Sequence, residues 1–64
     1  MKKVKVANLK KDDQIIEDNH IGETFIMKLS DITVGSEMSE LTIEKSAGKF
    51  FKRHMFNDDE VMIK

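Results

Sequence analysis

Apolar and polar residues alternate along most of this chain. Val4 and Val6 alternate with Lys3, Lys5 and Ala7. Phe25, Met27 and Leu29 share one parity, Ile32 and Val34 continue the pattern beyond Asp31, and Leu41 and Ile43 alternate with Glu40, Thr42 and Glu44. Val61 and Ile63 form the last pair. A period of two buries one face of a strand and wets the other. Polar clusters separate the runs: Lys10-Lys11-Asp12-Asp13, Asp18-Asn19-His20-Ile21-Gly22, Gly35-Ser36-Glu37, Ser46-Ala47-Gly48 and Asn57-Asp58-Asp59. Asn19 and Gly22 suit the positive φ of a tight turn, and Gly48 is expected in the left-handed region at a hairpin tip. About five short strands with turn signals every 8–12 residues predict a mostly-β fold, a small barrel or sandwich.

The segment Lys49–Phe56 fits this rhythm least well. As a strand it places Phe51, Arg53 and Met55 on one side and Phe50, Lys52, His54 and Phe56 on the other, so each side mixes charge with apolar groups. A bulge near Lys52 and Arg53 would ease that conflict. As a helix over 47–56 it aligns Ala47, Phe50, Phe51, His54 and Met55 on one face, capped by Ser46. The strand is the expectation, and an α+β fold with that helix is the alternative.

Sixty-four residues make one domain, here 1–64. A chain this short buries only about 60% of its unfolded surface, so the core is thin and a deep substrate cavity is hard to build. Acidic and basic residues number 12 and 11, so nothing draws the whole molecule toward nucleic acid. The chain has no cysteine, hence no disulfide and no thiolate ligand, which suits a reducing cytoplasm. Met-Lys-Lys-Val-Lys opens the chain with no apolar core behind it, so neither a signal peptide nor a membrane span is expected.

The opening run from Val4 to Ile15, Val-Lys-Val-Ala-Asn-Leu-Lys-Lys-Asp-Asp-Gln-Ile, resembles the start of small SH3-like barrels. Those read as alternating valines, a leucine, then Gly-Asp before a β-branched residue. The run from Phe56 to Ile63 is similar to their last turn and strand. Asp12 stands where that pattern carries glycine. The resemblance implies a single five-stranded SH3-like barrel of a kind common in phage and bacterial proteins, where such barrels act as binding modules. Fold alone does not assign a function.

Catalysis finds little support in the residues. His20 and His54 are the only histidines, and neither lies in a local nucleophile motif. Asp12, Asp13, Glu17, Asp18 and His20 could in principle ligate a cation, but they lack the rhythm of a calcium loop. With 14–17 as a strand, Glu17 lies about 13–17 Å from the aspartate pair at roughly 3.3 Å per residue. Gly22, Gly35 and Gly48 are isolated, so there is no phosphate loop. No catalytic residue, metal or cofactor is expected, and the chain reads as a non-enzyme.

Charge segregation carries more information. Lys2, Lys3, Lys5, Lys10 and Lys11 precede any acid, and Lys45, Lys49, Lys52 and Arg53 form a second basic stretch interleaved with Phe50, Phe51, His54 and Phe56. Met38 lies in a polar loop, and Met62 is opposite in parity to Val61 and Ile63, so both are expected outside. Flexible thioethers suit adaptable protein contacts. The expected binding surface is Lys49, Phe50, Lys52, Arg53, His54, Met38 and Met62. The leading expectation is a protein-interaction module, such as a phage or mobile-element accessory protein that docks on a host protein. The alternative is a nucleic-acid-binding barrel that uses 45–56 to stack bases and neutralise phosphates. Open strand edges also allow a homodimer.

Overall fold

A computed structural model describes residues 2–64. Six strands follow in order: β1 (Lys2–Lys5), β2 (Gln14–Asp18), β3 (Thr24–Val34), β4 (Met38–Ser46), β5 (Lys49–Phe56) and β6 (Glu60–Ile63), with a short 3-10 turn at Val6–Asn8. They form one antiparallel sheet in the spatial order β1-β6-β2-β3-β4-β5. The mostly-β expectation holds. Three finer expectations need correction. There are six strands rather than five, because both the first run and Lys49–Phe56 pair as strands. The helix over 47–56 does not form, since those residues are a hairpin tip followed by β5. The sheet is not a closed barrel, because β1 pairs only with β6 and β5 only with β4.

One face of the sheet collects the apolar parity of every strand. In register, Ile63 lies beside Ile15, Ile15 beside Met27, Leu29 beside Ile43, and Ile43 beside Phe51. Ile15, Met27, Leu29, Leu41, Ile43 and Ile63 are buried there, joined by Val6 and Leu9 from the 3-10 turn. That turn plugs one end of the inner face. The Val6 amide donates to the Asp59 carbonyl at 2.8 Å and the Ala7 amide to the Asn57 carbonyl at 3.2 Å. Val6 therefore leaves the strand rhythm and becomes fully buried.

β3 keeps its apolar side inward despite a change of parity along its length. Leu29 pairs with Ile43 and Ile32 with Leu41, so three steps on β3 match two on β4. The extra residue is Ser30, a bulge that moves the inward set from Met27 and Leu29 to Ile32. A second irregularity sits at Lys45, between Glu44 and Ser46, and no bulge falls near Lys52 and Arg53, where one would have eased the strand reading. β5 itself runs regularly, so the inward charge of Arg53 is accommodated by a partner rather than by a bulge.

The turns follow their chemistry with one exchange. Gly22 and Gly48 have φ of 87° and 76°, as expected. Asn19 does not take positive φ. Its side-chain oxygen instead accepts from the Ile21 and Glu23 amides at 3.0 and 2.9 Å. Asp12, which replaces the glycine of the SH3-like pattern, does adopt the left-handed region at φ 76°. Flanking it, Asp12 and Asp13 exchange backbone hydrogen bonds with Leu29.

Asn57 joins three turns. Its Oδ1 accepts from the buried Ser39 hydroxyl, and its Nδ2 donates to the Gly35 carbonyl at 2.9 Å. Its amide donates to the Glu37 carbonyl at 2.8 Å, and its carbonyl accepts from Ala7. The β5–β6 turn is thereby tied to the β3–β4 turn and to the 3-10 turn.

Two stability predictions follow from this geometry. Asn57→Ala orphans the buried Ser39 hydroxyl and should cost about 2–3 kcal/mol in urea unfolding. In a Ser39→Ala background the same change should cost about 1 kcal/mol less, the signature of a direct coupling in a double-mutant cycle. Asp12→Val forces a β-branched residue into the left-handed region and should cost about 1–2 kcal/mol, whereas Asp12→Gly should be tolerated.

Candidate interaction surface on the edge strand

The sheet has two edges, and they differ in chemistry. β1 is four residues long and three of them are lysines, Lys2, Lys3 and Lys5. Short, lysine-rich strands resist adventitious pairing. β5 is twice that length, and its outward-facing side carries Phe50, Lys52, His54 and Phe56. Phe50 and Phe56 are 55% and 57% exposed. Met38 lies opposite Phe56 on β4 and is 41% exposed, so it extends the apolar end of the stripe.

This brings together five residues on one surface: Phe50, Lys52, His54, Phe56 and Met38. Four of them were expected from the sequence. Phe56 was not, although its shared parity with Phe50 was the available signal. The other expected residues lie elsewhere. Lys49 sits at the hairpin end of β5, opposite Ser46. Met62 is half-buried on β6, in the row Met62–Ile16–Ile26 across β6, β2 and β3. Arg53 faces the inner side with Phe51 and Met55. Sequence parity had already placed those three together, so including Arg53 with the outward stripe is corrected by the geometry.

Arg53 has its own partners. Its guanidinium donates to Glu17 of β2 and lies 5.5 Å from the centroid of Phe51. β2 and β5 are not neighbours in the sheet, so this pair forms because the sheet curls until the two strands face each other. It is a side-chain bridge across the open side of the sheet rather than a backbone ladder. Lys52 and His54 are also engaged. Glu40 lies 3.4 Å from Lys52 Nζ and 3.2 Å from His54 Nε2. The centre of the basic stretch, Lys52 and Arg53, is therefore matched by acids from other strands. Glu17 and Glu40 were invisible in that role, because cross-strand register assigns them.

An open cleft of about 1030 Å³ lies between the β2–β3 and β4–β5 hairpins. Phe25, Ile26, Met27 and Phe51 give it apolar walls, and Lys45, Lys49 and the Glu17–Arg53 pair also line it. Neither histidine lines this cleft. His20 is exposed in the β2–β3 turn and His54 lies on the outer face.

The carboxylates once grouped with His20 are dispersed. Asp12 is 3.3 Å from Lys28, Asp13 accepts from the Lys10 amide at 2.8 Å, Asp18 accepts from the Thr24 hydroxyl at 2.8 Å, and Glu17 holds Arg53. Among the described residues, no group of three or more such side chains could hold one metal ion. No helix of the described residues is long and apolar enough to cross a membrane.

The fold defines a small antiparallel β module with one guarded edge and one open edge. No protein-family model matches the chain, and no curated protein or solved structure matches it.

Glu17 and Arg53 are each about one third exposed. A half-solvated pair of this kind contributes little net stability. Arg53→Met, which keeps the apolar stem over Phe51, should change unfolding free energy by no more than about 1 kcal/mol. Once Arg53 is replaced, Glu17→Gln should have no further cost by urea titration.

Proposed function

We propose that this chain is a non-enzymatic protein-interaction module that acts through the β5 edge. One observation carries the reading. β5 is a long, regular edge strand with two phenylalanines more than half exposed on one face. An edge strand offers unpaired amides and carbonyls to an incoming strand, and alternate side chains supply the specificity. Exposed aromatics beside Met38 form the kind of anchor that interfaces favour. The description as an SH3-like module, and the suggestion of a phage or mobile-element accessory protein, are supported by the rhythm of the two chain ends alone.

The nucleic-acid reading is weaker on the same surface. Lys52 and Arg53 already have carboxylate partners in Glu40 and Glu17, and His54 lies against the same Glu40. A phosphate backbone would have to displace those acids.

The immobilised chain should retain a protein, either from a bacterial lysate or the purified chain itself. Phe50→Asp and Phe56→Asp should each reduce that retention at least tenfold, with little effect on stability because both side chains are exposed. Retention unaffected by both changes, together with DNA or RNA binding that falls steeply with salt, would reverse the assignment in favour of nucleic acid.

A further inference from the structure

We infer that the partner of β5 is the β5 of a second copy, paired antiparallel about a two-fold axis that passes beside Arg53. This rests on the reading of β5 as a protein-docking edge and names the occupant.

The argument begins with the order of side chains on the strand. From Phe50 to Phe56 it reads apolar, apolar, cationic, cationic or imidazole in turn at Lys52, Arg53 and His54, then apolar, apolar. The pattern is the same read in either direction, with Arg53 at its centre. A symmetric dimer needs a self-complementary surface, and an antiparallel strand pair needs a sequence that matches its own reverse. β5 supplies both.

Register then follows from the faces. Directly opposed residues point to the same side of a sheet, so a continuous outer face requires opposed residues of like parity. With Arg53 on the axis, Phe50 meets Phe56 of the second copy and Phe51 meets Met55 of the second copy. Lys52 meets His54 of the second copy. Moving the axis to Lys52 would set Phe50 against a histidine and carry Phe56 beyond the opposing strand. Moving it to His54 would set Phe56 against a lysine. Only the Arg53 register gives all four apolar side chains apolar partners.

Charge permits the same arrangement. Arg53 meets its own copy at the centre, which would be repulsive for bare guanidinium groups. In each chain Glu17 already holds Arg53, and Glu40 lies beside Lys52 and His54. Across the two copies, two arginines and two lysines are each matched by a glutamate of their own chain, so these eight charges balance. The acids come from β2 and β4, behind the edge, and leave the edge itself free. Pairing would also cover Phe50, Phe56 and the adjacent Met38, three of the large exposed apolar residues of the sheet.

The other edge cannot substitute. β1 would oppose lysines with lysines over only four residues, and among the described residues its one ion pair joins Lys5 to an almost fully exposed Asp58.

Light scattering and single-cysteine cross-linking test the inference, and the natural chain has no cysteine to confuse the second readout. The unaltered chain should approach twice its 7.4 kDa mass as concentration rises from micromolar to sub-millimolar. It should keep that mass in high salt, because Lys52 and Arg53 are already paired within each chain and the seam itself is closed by apolar contacts. Arg53→Cys places two thiols opposite each other on the axis, within the separation a disulfide spans. Under mild oxidation it should cross-link at least tenfold faster than Lys52→Cys. Phe50→Asp should return the chain to monomer with its circular dichroism unchanged.

A monomeric mass throughout would overturn the dimer, as would cross-linking of Arg53→Cys no faster than that of Lys52→Cys. If the chain is monomeric but retention of another protein still depends on Phe50 and Phe56, the self-pairing fails and the docking edge stands. A dimer that persists in both Phe50→Asp and Phe56→Asp removes β5 as the interface, and the docking reading with it.

Discussion

A single sheet has no second layer to cover its buried face, and that constraint shapes the whole molecule. Among the described residues, eight side chains make up the buried hydrophobic core. They become dry only because the sheet curls over them and the 3-10 turn seals one end. The curl needs fastenings, since β5 and β1 never meet in a hydrogen-bonded ladder. Asn57 fastens one end by tying three turns together. The Glu17–Arg53 pair bridges the gap between β2 and β5. The two are unequal. Asn57 satisfies a buried hydroxyl, which is costly to orphan, while the ion pair sits half in water, where its net worth is small.

An open sheet also exposes backbone at two edges, and the chain treats them differently. Lysines guard the short β1, whereas β5 is long and regular and carries aromatics outward. Register with Leu41 points Arg53 inward beside Phe51, and the openness of the sheet leaves its guanidinium partly in water there. Charge that reads as one basic stretch is thereby divided. Arg53 serves the inner bridge, and Lys52 and His54 face Glu40 on the outer side.

Much of the fold was legible. Strand parity located Met27, Leu29, Leu41, Ile43 and Ile63 of the core but not Leu9 or Ile15, and the glycines at 22 and 48 marked the turns they occupy. Asp12 marked the unusual backbone position through its departure from the glycine expected there. What stayed hidden depends on register between distant segments. The shift from Leu29 to Ile32 makes sense only when Ser30 is seen to have no counterpart on β4. Lys49–Phe56 was ambiguous because its inward charge looked wrong for a strand until Glu17, thirty-six residues away in sequence, supplied the partner. The outward stripe was half legible. Phe50, Lys52 and His54 were expected on it, but nothing local separated them from Arg53 except the choice of which parity faces the core. Asn57 read only as a turn residue, because its three-way role depends on Ser39 and Gly35 arriving beside it.

The pairing of β1 with β6 alone sets a limit on the order of assembly. Lys2 lies across from Ile63, so the first strand finds no place until β6 is available to pair with it. The Val6 and Leu9 plug depends on the same late segment, through the Asp59 and Asn57 carbonyls. Hairpins β2–β3 and β4–β5 close over short loops and can form early, but they enclose a core that still lacks one wall. Protection of the apolar face should therefore arrive abruptly once residues 57–63 are in place rather than accumulate strand by strand.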